Sequence, residues 1–369
     1  MSHSPGTGGA EHSLATLVEE ALKRDHDVLL SLPIADEQRI RELLPQSDHV
    51  SIVSHRWVRM MQGARPVLSG PLRILVATVD AVAFARWLKS SRADAVIVNS
   101  TTIPQASLAA RLARIPAVTM IREAIKTNPA LPSFLPKSLI AWSIRVFSHS
   151  TIAVSEYAGE QIGSATHVVH PEVPLSSILA DRPERLTLHL VMAGTLSKEK
   201  GQLDAVEAVR VARDRGVEVI LDLYGQAAPD RLNHLNRAIA SAGLEHAVTH
   251  RGESRSMMEV FGNADLSLVC SGNEAFGRVT AESINAGTPV IGYDNGGTSE
   301  ILREGGGMLC DPSPESLADA IVRLATDRAL LRELRSACEL RIASGGAGGT
   351  ASTVLELIES VVRSRTIGQ

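Results

Sequence analysis

Two glutamates and a lysine carry the densest chemical signal in this 369-residue sequence. Glu274 and Glu282 are separated by seven residues in the run Ser271-Gly-Asn-Glu-Ala-Phe-Gly-Arg-Val-Thr-Ala-Glu-Ser-Ile-Asn-Ala-Gly-Thr-Pro-Val-Ile-Gly292. Glu274 follows an apolar run ending at Val269, and Phe276-Gly277 reads as a loop entering a helix, with Val279, Ser283 and Ala286 on one face. Glu274 is therefore expected in the loop before a helix and Glu282 inside it. Two such carboxylates can accept hydrogen bonds from sugar or ribose hydroxyls, and the open N–H groups of a helix start suit phosphate oxygens. By charge spacing alone a plainer reading is favoured, an acid placed by the helix dipole and a solvated glutamate further along. Lys200, taken by itself, is an exposed lysine at a helix start, and Gly8-Gly9 is a turn.

Such groups need a scaffold that brings loops together. In the first half, residues 27–30, 50–53, 72–76, 95–98, 117–121 and 151–154 are predicted strands, short, apolar and often β-branched. Helical patterns at 14–23, 81–89, 103–113 and 137–147 lie between several of them. The alternation then restarts, with strands at 186–192, 218–223, 248–251, 266–269 and 289–292. Helices are predicted there at 202–213, 231–242, 257–261, 278–286, 315–325 and 330–339. Strands alternating with helices of this size imply right-handed crossovers and mostly parallel sheets. The fold class is α/β, with two doubly wound Rossmann-like domains whose strand ends face a central cleft. Residues 1–173 form the first domain, 174–185 a linker, 186–344 the second domain, and 345–369 a glycine hinge and a helix that could cross back to the first. The start is odd. Residues 4–11 read as a strand-to-helix turn with almost no strand before it. Either the first strand is reduced to residues 1–3 or the start codon lies upstream, and the second is preferred.

Composition narrows the function classes. A formal net charge of −4 gives no basic field for a nucleic-acid partner. The three cysteines lack zinc-site spacing, and their odd number argues against a disulfide framework. Neither a run of about 18 apolar residues nor a charged-then-apolar leader is visible. A cytoplasmic protein is expected. Asp25-His-Asp27 precedes a strand instead of following one, so no metal site is expected, and no resident cofactor. A nicotinamide-dependent oxidoreductase is disfavoured because no G-x-G-x-x-G follows a strand. The helix at 137–147 mixes apolar residues with Lys137 and Arg145. Ordinary packing is favoured for it over peripheral contact with the inner face of a membrane. His167 and His170 are read as structural.

The segment from Glu274 to Gly292 resembles the retaining GT-B glycosyltransferases of sequence family four (glycosyl transferases group 1). Their Glu-x7-Glu motif has the setting E-x-F-G-x-x-x-x-E-A-x-x-x-G-x-P-V-I, and here only Ser283 departs, standing where alanine is usual. Gly296-Gly-Thr-Ser-Glu300 and Gly194-Thr-Leu-Ser-Lys-Glu-Lys-Gly201 continue the likeness, which is close over about residues 186–340. It is thinner at Gly8-Gly-Ala-Glu11, Ile121-Arg-Glu123 and Ala153-Val-Ser155. The resemblance implies a nucleotide diphosphate-sugar donor, with a saccharide, lipid-linked or small-molecule acceptor. Glu282 would hold ribose hydroxyls. Glu274 would hold the donor sugar, assisted by the backbone at Phe276 and Gly277. Lys200 would bind the diphosphate, and Gly8 and Gly9 would let backbone approach donor or acceptor. Two positions depart. Thr195 stands where an arginine often pairs with the lysine, so either Lys198 or Arg278 replaces that charge or the diphosphate is held less tightly. Arg122 stands where a histidine is common; it would orient an anionic acceptor or a phosphate, since a guanidinium is no general base. Glu123 either shares that role or pairs with Arg122. The implied chemistry is retention without a required metal, the leaving phosphate taking the acceptor proton. A nucleotide-sugar epimerase, a sugar-phosphate-using enzyme and a non-catalytic binding protein of the same fold are the alternatives.

Overall fold

A computed structural model describes residues 9–32, 41–55, 61, 70–129, 131–133, 135–176, 186–346 and 350–367. The chain folds as two units, Met1–Glu172 together with Gly349–Gln369, and Val173–Gly348. In the first lie α1 (Gly9–Lys23), β1 (Val28–Leu32), β2 (Val50–Ser54), α2 (Gly70–Ser91), β3 (Val96–Val98), α3 (Pro104–Ala113), β4 (Ala117–Ile121), α4 (Lys137–Phe147), β5 (Ser150–Ala153), α5 (Glu156–Glu160) and β6 (His167–Val168). The second holds β7 (Leu188–Ala193), α6 (Gln202–Asp214), β8 (Val219–Tyr224), α7 (Pro229–Ser241), β9 (Val248–Gly252), α8 (Met257–Asn263), β10 (Leu266–Val269), α9 (Arg278–Asn285), β11 (Val290–Tyr293), α10 (Gly296–Arg303), β12 (Gly307–Cys310), α11 (Pro314–Thr326) and α12 (Arg328–Ala343). Finally α13 (Ala351–Ile367) belongs to the first unit. Most of the 174–185 segment lies outside the described residues.

The second unit is one six-stranded parallel sheet of order β12-β11-β10-β7-β8-β9. Alternation along β7 sends Leu188, Leu190 and Met192 to one core and Val191 and Ala193 to another. The larger core adds Ala205 and Val209 of α6 and Leu317 and Ile321 of α11. The smaller is filled by Phe261, Ala264 and Ala286, and Phe261 is fully buried. Each large apolar side chain so enclosed contributes roughly 1.5–3 kcal/mol. Cys270, Cys310 and Cys338 are buried and form no disulfide among the described residues. Burial pushes the Cys270 thiol up and that of Cys310 to about 12, so neither is a nucleophile near neutral pH.

In the first unit β3, β4, β5 and β6 form a parallel sheet, and β1 and β2 form a parallel pair. Val118 and Met120 of β4 and Ile152 of β5 share a core with Leu17 of α1 and Val354, Leu355 and Ile358 of α13. Polar contacts fasten the same helices. Arg24 Nη1 donates to Glu359 Oε1 at 3.2 Å and Nη2 to Ser352 Oγ at 2.5 Å.

One predicted strand is corrected. Residues 72–76 lie within α2, not in a sheet. The run is short and apolar, and periodicity alone cannot tell such a run from a helix turn. The next residues, Ala77 to Leu88, continue a helix of 22 residues that leaves Leu72, Leu75 and Val79 exposed. The sequence reading also passed over α5, β6, β12 and α10.

Candidate functional site

From β7 the second unit's chain winds through β8 to β9 on one side of the sheet, and from β10 through β11 to β12 on the other. The β7–β10 junction is thus the point where strand order reverses, and loops leaving adjacent strands there open a crevice. The loop after β7 carries Lys200, and the loop after β10 carries Glu274. Lys200 Nζ donates to Glu274 Oε1, and the side chains are 32% and 16% exposed, so the pair is reachable from solvent.

The two loops are held close by backbone. Gly272 N donates to Glu199 O at 3.2 Å. Gly201 ends the short 3-10 turn Lys198–Lys200 with φ of 72°, and a Cβ there would stand 2.6 Å from the carbonyl oxygen of Cys270. Only glycine tolerates both the left-handed backbone and that approach. Gln202, almost fully buried, fastens the β7 loop. Its Oε1 accepts from Ser197 N at 3.3 Å and its Nε2 donates to Thr195 O at 3.2 Å. Sequence reading overlooked Gln202 because a glutamine in a helical first turn looks solvated. The visible signal was its place immediately after the Lys200-Gly201 turn. Gln202→Leu is expected to cost about 1–3 kcal/mol through unsatisfied loop groups. It should raise the KM for the donor more than it lowers kcat. Steady-state kinetics with a melting curve checks this; unchanged KM at lowered stability would make Gln202 purely structural.

Glu282 and Arg278 sit one turn apart on α9. Arg278 Nε donates to Glu282 Oε1 at 2.7 Å, and the side chains are 27% and 20% exposed. A cation in a first helical turn opposes the helix dipole, and Glu282 offsets it. Gly277 precedes the helix at φ of 94° with no side-chain cap, which leaves the first-turn N–H groups open to an anion. Phe276 is buried and anchors the loop. Gly297 N donates to Glu274 O at 2.8 Å, tying the start of α10 to the acid's backbone. Asn295, before α10, has a buried Oδ1 with no partner among the described residues. It is a second group the sequence did not single out. Gly194 to Gly201, Glu274 to Glu282 and Gly296 thus converge on one sheet end.

The remaining candidates are more scattered. Thr195 is exposed on the β7 loop, and Lys198 is exposed in the 3-10 turn. Arg122 follows β4 in the first unit and donates from Nε to Asn99 Oδ1 at 2.7 Å. Glu123 turns into the loop after β3, accepting from Ser100 Oγ at 2.8 Å and from Thr101 Oγ1 at 2.6 Å. Arg122, His170 and Glu172 line a cavity of about 30 Å³, room for a single water. Gly9 is the first residue of α1, and Gly8 lies outside the described residues. Among the described residues no helix is long and apolar enough to cross a membrane.

The family model for Glycosyl transferases group 1 matches residues 187–341, and that for Glycosyltransferase Family 4 matches residues 7–173. Among curated relatives, D-inositol 3-phosphate glycosyltransferase of Paenarthrobacter aurescens (strain TC1) is 29% identical over 192 residues, half of this chain and 47% of that protein. The match therefore spans about half the length of that relative. The GDP-mannose-dependent alpha-(1-6)-phosphatidylinositol dimannoside mannosyltransferase of Mycobacterium tuberculosis is 22% identical over 86% of this chain and 84% of its own. Among solved structures, Anabaena Alr3699/HepE in complex with UDP and glucose superposes with a TM-score of 0.72 at 20% identity, covering 98% of both chains. The fold is that of the GT-B enzymes. With both halves matched in order and the Glu-x7-Glu segment at the switch point, the chain belongs to the GT-B glycosyltransferases of family four.

Proposed function

We propose that this protein transfers a sugar from a nucleoside diphosphate-sugar to an acceptor hydroxyl with retention of anomeric configuration. The observation that carries the reading is the convergence of Lys200, Glu274 and the open start of α9 at the β7–β10 switch point. Glu282 accepts the ribose hydroxyls, exchanging its bond to Arg278 for them, and Arg278 is then released toward the diphosphate. Glu274 accepts hydroxyls of the donor sugar. Lys200 and the N–H groups at Gly277–Arg278 face the phosphates, where negative charge grows as the bond from the anomeric carbon to the phosphate oxygen breaks. The acceptor oxygen bonds that carbon on the same face, and its proton passes to the departing phosphate oxygen. The balance needs no protein base and no metal. Arg122, from the first unit, orients an anionic group of the acceptor or a phosphate.

The relatives support a saccharide or glycolipid acceptor. The exposed Leu139, Trp142 and Val146 of α4, with Arg145 in its last turn, fit peripheral contact with a membrane carrying such a lipid. The deciding experiment is a thermal-shift screen of UDP, GDP, dTDP and ADP, repeated with Glu282→Ala. One diphosphate should raise the melting temperature, and the substitution should abolish the shift. Anomeric analysis of the product then tests retention, and an inverted product sinks it. Donor consumption without an acceptor would mark an epimerase instead.

A further inference from the structure

Asn285, the last residue of α9, is 1% exposed and lies where two stretches of chain meet. The chain enters the second unit at Val173 and leaves it at Gly348. On the entering stretch, Asn285 Nδ2 donates to Val173 O at 3.4 Å and to Pro174 O at 3.1 Å, and Ser176 N donates to Asn285 O at 3.0 Å. Residues 173–176 belong to no strand or helix, so their carbonyls have no ladder to join. A side-chain amide carries two hydrogens and can meet two consecutive carbonyls, whereas a hydroxyl carries one and a carboxylate none. On the leaving stretch, Gly346 follows α12 at φ of 79°, and its N donates to Arg341 O at 2.7 Å. A Cβ there would stand 2.7 Å from Asn285 Oδ1 and would overlap the Leu175 side chain, so glycine lets this stretch close on the other two.

The opposite end of the same helix is the open start at Gly277, with Arg278 and Glu282 close by. α9 is about two turns long. Its Thr280, Ala281, Ser283 and Ile284 are buried, and Ser283 Oγ donates to Thr288 O at 3.0 Å. A helix so short and so enclosed moves as one body. Asparagine is a weaker helix former than alanine or leucine, and its cost at this buried helical position is offset by the two bonds of its amide.

We propose that Asn285 is a positioning residue that ties the occupancy of the donor site to the two passages of the chain into and out of the second unit. The coupling rests on the transferase reading, in which Glu282 exchanges Arg278 for ribose hydroxyls and phosphate oxygens take the N–H groups at the start of α9. Those bonds constrain one end of a stiff element, and Asn285 hands the constraint on at the other end to residues 173–176 and to Gly346. Binding that must stiffen a segment costs less when the segment is already held, so fastening and affinity support each other reciprocally.

The test is hydrogen exchange at the Ser176 and Gly346 amides of the full chain, in wild type, Asn285→Asp and Asn285→Ala. An ionised aspartate keeps the shape and supplies no donor, so it should speed exchange at Ser176 about tenfold and spare Gly346, and alanine should speed both. UDP, GDP, dTDP and ADP are then added in turn. The diphosphate that raises the melting temperature should slow Ser176 exchange about fivefold in wild type and in neither variant, and both variants should bind it about fivefold more weakly by calorimetric titration. Unchanged Ser176 exchange in the ligand-free variants overturns the fastening. Binding that leaves Ser176 exchange unaltered, or variants that melt lower yet bind as tightly as wild type, would make Asn285 purely structural and overturn the coupling. If no diphosphate raises the melting temperature, the transferase reading falls and takes the coupling with it, while exchange in the ligand-free chain still decides the fastening.

Discussion

Lys200→Ala is expected to lower kcat/KM by about 10²–10³-fold while leaving the melting temperature nearly unchanged. The lysine sits where two loops meet at the switch point, and its partner Glu274 lies across the junction. A cation there acts most strongly when charge gathers on the departing diphosphate, so the loss should fall on kcat more than on KM. The small stability effect follows from exposure, since a pair about one-third and one-sixth exposed is screened by solvent. The double substitution with Glu274→Gln should lose less than the two single effects combined, because both side chains serve one bound donor. Single-turnover rates at saturating donor separate the steps. A change below about fivefold would remove Lys200 from the diphosphate and leave that charge to Arg278.

The second large effect is on the scaffold. Gly297→Ala should destabilise the second unit by about 3 kcal/mol and abolish donor binding. A Cβ at this position would stand 2.1 Å from the carbonyl oxygen of Phe276 and 2.4 Å from its carbonyl carbon, both backbone atoms. No rotamer relieves that overlap. Relief requires the 274–277 loop to move away from α10, which breaks the bond from Gly297 N to Glu274 O and carries Glu274 off its position beside Lys200. Chemical denaturation with calorimetric titration of the nucleoside diphosphate checks both halves. A stable protein that still binds would show that the loop relaxes without moving the acid.

How far the sequence was legible depended on the strength of its local signals. The second half was readable because β7, β8 and β10 are apolar runs flanked by clear turns, and because the Glu274–Glu282 segment has few ways to fold. The placement of both acids about a helix start agrees with the loop after β10 and with α9. Residues 72–76 misled because a strand and a helix turn share the same apolar run, and only the length of α2 decides between them. β12 begins on the last of three consecutive glycines, Gly305 to Gly307, and α10 opens on two more, so both read as loop. Gln202 and Asn295 were invisible for a different reason. A buried amide differs from an exposed one only in what surrounds it, and that is a property of the folded loops. Glu123 was open between two roles, and its three bonds to Ser100 and Thr101 give it a loop to hold.

The placement of α13 also sets an order of events on the ribosome. Val354, Leu355 and Ile358 fill the same core as Leu17, Met120 and Ile152, so the unit begun first lacks part of its interior until α13 has been made. The unit formed by Val173–Gly348 is uninterrupted in the chain and draws no core residue from that tail. Vectorial synthesis ordinarily completes amino-terminal domains first. Here the unit begun first is completed only by residues that follow the whole of the second, and a released chain cut short of residue 350 would hold every strand and helix of the second unit beside a first one whose core lacks α13.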